Sequence, residues 1–339
     1  LVQLVGAGPG DPGLITRRGA EALARAEVVV YDHLVHPRLL DLAPADALRL
    51  FAGKHGGILS PPQTAINDLL VDQARQGRRV VRLKGGDPFL FGRGAEEAEW
   101  LVREGIDFEV IPGVTAGVGV AAYAGLPITH RQDASAVAFL TGHHEPGSEG
   151  DRLDWNALAR FPGTLVIYMG LTRLRALFQA LIREGKAPDT PAAVVAHGTL
   201  AGQTTLVGTL ADLPDRVEAR SITPPALVIV GEVVQRRPAL AWFERRPLFG
   251  RRILITRPIE EGDRSASDLE ALGAEVFLAP TVQILPLDDY AELDAVLDRL
   301  DQFDWLVFTS SNGVRALLGR LEERGRDLRA LGGVRLSAI

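Results

Sequence analysis

The chain of 339 residues contains no cysteine. That excludes disulfides, thiolate zinc sites, iron–sulfur clusters and a cysteine nucleophile, and it fits a reducing, cytoplasmic compartment. Methionine occurs once, at Met169, and aromatic residues make up only 6% of the chain. No apolar run is built to span a bilayer: the longest stretch of small apolar residues, Gly113 to Ile128, is short and broken by glycines. The N-terminus also lacks the basic-then-apolar pattern of a signal peptide, so no membrane partner is expected. Excess positive charge is missing as well. The formal net charge is −6, with acids and bases interleaved, which leaves no electrostatic footprint for nucleic acid. Adjacent His143 and His144 have no further ligand cluster nearby, and no metal is expected. Because residue 1 is Leu rather than Met, the chain is expected to begin inside a longer reading frame.

What is present is an α/β pattern. With 46% hydrophobic and 24% charged residues the chain has room for two or three domains with sizeable cores. Apolar runs LVQLV, EVVVYD, RVVRL and FEVIP, then AVAFLTG, TLVIYMG, PAAVVAH and PALVIVG, alternate with helical periodicity. That order predicts open, mostly parallel sheets with helices on their faces and ligands at the carboxyl edge. We expect one α/β domain over 1–112 and a second over 113–242. The arginine- and proline-rich segment from Arg236 to Arg252, with exposed-looking aromatics, reads as a linker centred on 243–250. The pattern restarts with RILITRP and runs to VRLSAI, which predicts a partial third α/β domain over 251–339.

The stretch LVGAGPGDPG, Leu4 to Gly13, lies between a strand and a helix expected over Leu14 to Ala26, where dinucleotides bind in such folds. Asp32, at the end of the next apolar run, stands where a ribose-binding carboxylate would. The glycines fail the pattern, however, because Gly6, Gly8 and Gly10 are spaced G-x-G-x-G. Pro9 offers no N–H and Asp11 adds negative charge, so a pyrophosphate is disfavoured. Asp11 reads better as an N-cap for the helix after Pro12, or as a polar wall for an uncharged ligand. A second loop, KGGDPFLFGRGAEE, places Gly85 and Gly86 where a ligand can touch backbone, and Asp87 where it can accept from hydroxyls or an amino group. A structural turn whose aspartate caps a helix is the alternative. No Lys-Ser or Lys-Thr follows, so this is not a P-loop.

The motifs VGAGPGDPGLIT, VVVYDHLV, GKHGG, VVRLKGGDPFLFGRGAEE, VIPGVTAG, GLPITHR, LTGHH and VIYMG follow one another in an order that resembles the uroporphyrinogen III C-methyltransferases, members of the tetrapyrrole methylases. The resemblance runs from Leu1 to about Phe243. It implies a two-domain tetrapyrrole methylase fold with a cofactor cleft between the domains. It further implies a homodimer that uses S-adenosylmethionine, releases S-adenosylhomocysteine and methylates uroporphyrinogen III at two ring positions. The product would be precorrin-2, on the way to siroheme or cobalamin. A methylase of a later precorrin is a close alternative, and a dinucleotide-binding oxidoreductase is one of a different class.

Carried over by motif, the cofactor positions are Pro9, Gly85, Gly86, Asp87, Leu90, Thr115, Ala116, Met169 and Gly198. Met169 could equally be a core filler. Asp32 aligns with the family's proton acceptor and Lys54 with its proton donor, although Lys54 could instead bind a substrate carboxylate. His55 stands where many relatives carry Arg. A polycarboxylate substrate calls for cations, and Arg17, Arg93, Thr129, His130 and Arg131 are its candidate contacts, with Arg82 and Lys84 beside the loops as further anchors. Each could also be a solvated surface residue. Finally, RRILITRPIEEGDRSASDLEALGAEVFLAPTVQILP and DWLVFTSSNGVRAL resemble the beginning of uroporphyrinogen III synthase, which implies a bifunctional parent protein. Thr256, Arg257, Ser311 and Asn312 match its motifs or serve as turn residues.

Overall fold

The computed structural model describes residues 1–53 and 62–339. It divides into two units, Leu1–Leu254 with Ser265–Phe277, and Ile255–Arg264 with Leu278–Ile339.

In the first unit, strands β1 (Val2–Gly6), β2 (Val28–Tyr31), β3 (Leu48–Phe51), β4 (Val80–Lys84) and β5 (Phe108–Ile111) form one sheet in the order β3-β2-β4-β1-β5. Every pairing in it is parallel. Side chains alternate between two cores, as the period of a strand requires. Val2, Leu4, Val28, Val30 and Val80 pack under α2 (Gln63–Arg75) and α3 (Gly94–Arg103). On the other face, Val5, Val29, Val81 and Leu83 pack under α1 (Arg17–Leu23). Each such fully buried aliphatic side chain contributes about 1.5–3 kcal/mol. Because both faces are covered, the strands read as continuous apolar runs. The chain leaving β1 continues to β2 on one side and the chain leaving β4 continues to β5 on the other. The carboxyl ends of these two neighbouring strands therefore mark the point where the order reverses.

Helix α1 is shorter than its apolar pattern suggests, because two caps divide the segment. Asp11 accepts from Gly13 N–H and starts a 3₁₀ turn over Pro12–Leu14, and Thr16 accepts from Gly19 N–H and starts α1.

Beyond α4 (Ala116–Tyr123), a second sheet contains β6 (Val137–Thr141), β7 (Thr164–Tyr168), β8 (Pro191–Ala196), β9 (Thr204–Thr209) and β10 (Ala226–Val230), in the order β6-β7-β10-β8-β9. The expectation of a mostly parallel sheet fails here. Only β6 and β7 run parallel; β10 is antiparallel to both β7 and β8, and β8 to β9. The chain between Ala196 and Thr204 is too short for a parallel crossover, which needs a dozen residues or more. Helices α5 (Trp155–Ala159), α6 (Leu174–Arg183) and α7 (Leu213–Ala219) cover one face and α4 the other.

The segment expected as an exposed linker is packed against this second sheet's surroundings. Phe243 is buried, its ring 4.8 Å from that of Tyr123, and Trp242 donates its indole N–H to Ala122 O at 2.9 Å. Glu244 accepts from Gln203 and Thr205 and pairs with Arg237.

In the second unit Trp305–Phe308 and Arg335–Ala338 pair in parallel, with helices over Ala291–Leu297 and Ser311–Glu323. Leu297, Leu317, Leu321, Leu331 and Val334 form its core. Trp305, Val307 and Leu336 are exposed.

Candidate active site

Five loops of the first unit converge. The opening loop and the GGDP loop leave adjacent strands and lock together: Gly86 N–H donates to Gly8 O at 2.7 Å and Gly8 N–H to Gly86 O at 3.2 Å. The third loop, after β5, comes so close that a Cβ on Gly113 would lie 2.2 Å from Gly86 O. Only glycine permits that approach.

Asp87 organises this meeting. Its Oδ1 accepts from Phe89 N–H at 2.8 Å and its Oδ2 from Gly113 N–H at 3.1 Å. A carboxylate has about four acceptor positions, so capacity for a ligand remains after both bonds. Asp87 is thus a turn residue as well as a candidate ligand contact, and the two readings are compatible.

The second sheet supplies the other two loops. Helix α4 carries Gly117 and Gly119, where a Cβ would lie 2.4 Å from Tyr168 Oη and 2.6 Å from Pro9 Cγ. Glycine inside a helix costs about 1 kcal/mol each, and here it admits a phenol and a proline ring against the backbone. Tyr168, at the end of β7, accepts from Gly117 N–H and shares a hydrogen bond with Thr115 Oγ1, both at 2.7 Å. Burial pushes its phenol above the usual range, so it stays protonated at neutral pH. Met169 follows with φ of 55° and its side chain about half exposed. An exposed methionine in a left-handed conformation is no core filler. From the loop after β8, Thr199 Oγ1 accepts from Asp11 N–H at 2.9 Å, and Gly198 lies beside Gly10. Tyr123 completes the join by donating to Asp11 Oδ2 at 2.7 Å; burial, reinforced by that carboxylate, pushes its phenol up. Asp11 therefore combines the cap expected of it with a long-range bond that sequence spacing does not reveal.

Pro9, Gly85, Gly86, Asp87, Thr115, Met169 and Gly198 lie in these converging loops, Ala116 opens α4 directly after Thr115, and partly buried Leu90 follows in the GGDP loop. Asp32 ends β2 next to them. Its Oδ1 accepts from Leu34 N–H at 3.0 Å, and a Cβ on Gly85 would lie 2.8 Å from the Leu34 Cβ. Lys54 and His55 lie outside the described residues.

The cations behave differently from one another. Arg82 and Lys84 are not exposed anchors: both are buried on β4 and bind the fully buried Glu97 of α3, at 3.2 and 2.7 Å. Burial, then the neighbouring Arg82, lowers the Lys84 pKa against the opposing pull of Glu97. Arg93 has φ of 58° and holds Glu96 in a two-point ion pair. Arg17 is almost fully exposed and pairs with Glu21. His130 lies 3.0 Å from Asp133, which also holds Arg236, while Thr129 and Arg131 are exposed.

The donor set fits a cofactor without phosphate. The loops Gly8–Asp11 and Gly85–Leu90 contain no lysine or arginine, and the cations beside them, Arg82, Lys84 and Arg93, already have carboxylate partners. Backbone, carboxylate, hydroxyl and thioether groups remain to meet a ligand. Among the described residues no group of three or more His, Asp or Glu is arranged to hold a metal, and no helix is long and apolar enough to cross a membrane.

Comparison with known proteins bears on these features. The tetrapyrrole (corrin/porphyrin) methylase family matches residues 2–214, and the uroporphyrinogen-III synthase HemD family matches residues 263–339. The chain is 39% identical over its whole length to a porphyrin biosynthesis protein HemD of Ruminiclostridium josui, of which it covers 67%. It is 54% identical over 243 residues, 72% of this chain, to a siroheme synthase of Pseudomonas putida, of which it covers 52%. The chain thus spans about half the length of the siroheme synthases it matches. Among solved structures, a uroporphyrin-III C-methyl transferase of Thermus thermophilus, complexed with S-adenyl homocysteine, is 40% identical with a TM-score of 0.58, covering 69% of this chain and 98% of that one. A cobalt precorrin-4 methyltransferase is 29% identical with a TM-score of 0.62, over 69% of this chain and 95% of that one. With the family matched over more than half of the chain and the fold shared with solved methyltransferases, the chain belongs to the tetrapyrrole (corrin/porphyrin) methylases.

Proposed function

We propose that the chain transfers methyl groups from S-adenosylmethionine to two ring carbons of uroporphyrinogen III, giving precorrin-2 for siroheme or cobalamin synthesis. The observation that carries this reading is the convergence of phosphate-averse glycine loops with a carboxylate, Asp32, at one sheet edge. S-Adenosylmethionine supplies an electrophilic methyl group on a cationic sulfonium. Gly85, Gly86, Asp87, Leu90 and Pro9 from the first sheet, with Thr115, Ala116, Met169 and Gly198 from the second, hold and orient it. Alignment and exclusion of water supply most of what an in-line displacement needs. Asp32 accepts, at its carboxylate, the proton that the macrocycle loses, from a position other than the newly methylated carbon, once the new bond has formed. Arg17, Arg93, Thr129, His130 and Arg131 receive the substrate carboxylates, and Lys54 is the assigned proton donor. The working form is a cytoplasmic homodimer, and the C-terminal segment belongs to a synthase fused to the methylase.

The test is turnover. Purified protein incubated with methyl-labelled S-adenosylmethionine and uroporphyrinogen III should yield a macrocycle carrying two labels. Absence of label in the macrocycle refutes the proposal, and one label at a different ring position would place the chain at another precorrin.

A further inference from the structure

Strand β4 puts two cations on one face of a central, fully covered sheet position. Arg82 and Lys84, two residues apart, both point towards α2 and α3, and each is at most 5% exposed. Burying two like charges so close together is costly unless both are answered. Glu97, on the apolar stripe of α3, answers one. Its Oε1 receives Arg82 Nε at 3.2 Å, Lys84 Nζ at 2.7 Å and Gln63 Nε2 at 3.1 Å, whereas its buried Oε2 has no partner. Three donors on one oxygen fix the orientation of the carboxylate and leave one positive charge over.

The geometry of Arg82 shows where that charge goes. Its Nε faces Glu97, its Nη1 lies 3.4 Å from both Val30 O and Leu83 O, and its Nη2 lies 3.7 Å from Asp32 Oδ2. We propose that Glu97 is a positioning residue for Asp32, acting through Arg82: it fixes the plane of the guanidinium that faces the Asp32 carboxylate, and Asp32 is the second counter-charge of the buried pair. The inference rests on the reading of Asp32 as proton acceptor, and its activity-independent arm is chosen to separate the two.

Glu97→Gln keeps the shape and removes the charge. It should lower kcat about tenfold or more while the KM for S-adenosylmethionine stays within about twofold, because the cofactor loops are untouched. Adding Lys84→Met to Glu97→Gln restores one cation to one carboxylate, and should bring kcat back several-fold and raise Tm above that of Glu97→Gln alone. The second arm is a thermal double-mutant cycle. Asp32→Asn and Glu97→Gln together should lower Tm by more than the sum of the single losses, since both counter-charges are then gone. If that pair does not fold, the same cycle run in the Lys84→Met background carries the same expected excess. A Glu97→Gln enzyme with unchanged kcat, no gain from Lys84→Met, or additive Tm losses would each overturn the inference. Wild-type protein that transfers no methyl group defeats the proposed function instead, and the Tm cycle still decides the role of Glu97.

Discussion

In the first sheet, the central strand β4 carries Arg82 and Lys84 inside a shell closed by Glu97. In the second sheet, the central strand β10 buries only Leu227, Val228, Ile229 and Val230, and its polar contributions stand at strand ends. Strand direction is the root of the difference. Five parallel strands send all their carboxyl ends to one edge, which concentrates Asp32, Lys84 and the glycine loops there. In the mixed sheet, β10 runs against β7 and β8, so only the ends of those neighbours bring Tyr168, Met169, Gly198 and Thr199 to the site. The first sheet supplies charge and the second supplies shape and neutral hydrogen bonds.

The largest expected effect falls on the charged side. Asp32→Asn should reduce kcat about 100-fold or more, within the range of a lost general base, with cofactor KM within about twofold; a cofactor-affinity loss of equal size would erase the division of labour. Next comes the closest packing of the second sheet. Gly117→Ala would drive a methyl group into Tyr168 Oη, with an expected loss of about 1–3 kcal/mol in urea unfolding and weaker cofactor binding. Unchanged stability would show that the tyrosine is not held there. Tyr168→Phe leaves Gly117 N–H and Thr115 Oγ1 without their partner and should cost about 1–3 kcal/mol, with kcat less affected than by Asp32→Asn.

A smaller effect is a matter of pH. Burial holds the Lys84 pKa low in the folded state, so between its folded and unfolded values the unfolded chain binds more protons and stability rises with pH. The Tm of wild type should therefore rise relative to that of Lys84→Met across that alkaline window; a constant difference would contradict the buried-charge account. Smallest of all is Arg17→Ala, expected to change stability by less than about 0.5 kcal/mol because the Arg17–Glu21 pair is exposed.

The parts of the fold legible in the sequence are those where burial writes the pattern. In the two five-stranded sheets, eight apolar runs became strands, while β3 and β9, which lacked such runs, are sheet edges with one side unpaired. Strand direction in the second sheet was not legible, because an apolar run carries no polarity. At the site, the spacing of Gly6, Gly8 and Gly10, with Pro9 and Asp11 between and after them, disfavours a pyrophosphate from local chemistry alone. Tyr123 and Thr199 escaped notice because their bonds to Asp11 join residues far apart in sequence. Glu97 reads in sequence as an ordinary acid in the first turn of α3, yet its inner role leaves a signal: it sits with Gly94, Ala98 and Leu101 on the inner stripe of the helix, where a carboxylate requires a buried cation. The same stripe explains why Arg82 and Lys84 face inwards.

The central claim is that these loops hold a phosphate-free cofactor, and calorimetric titration of the protein with S-adenosylhomocysteine and, separately, with NADH tests it most directly. The account predicts saturable binding of S-adenosylhomocysteine, weakened by Gly117→Ala, and no heat from NADH. Saturable NADH binding with none for S-adenosylhomocysteine would contradict it.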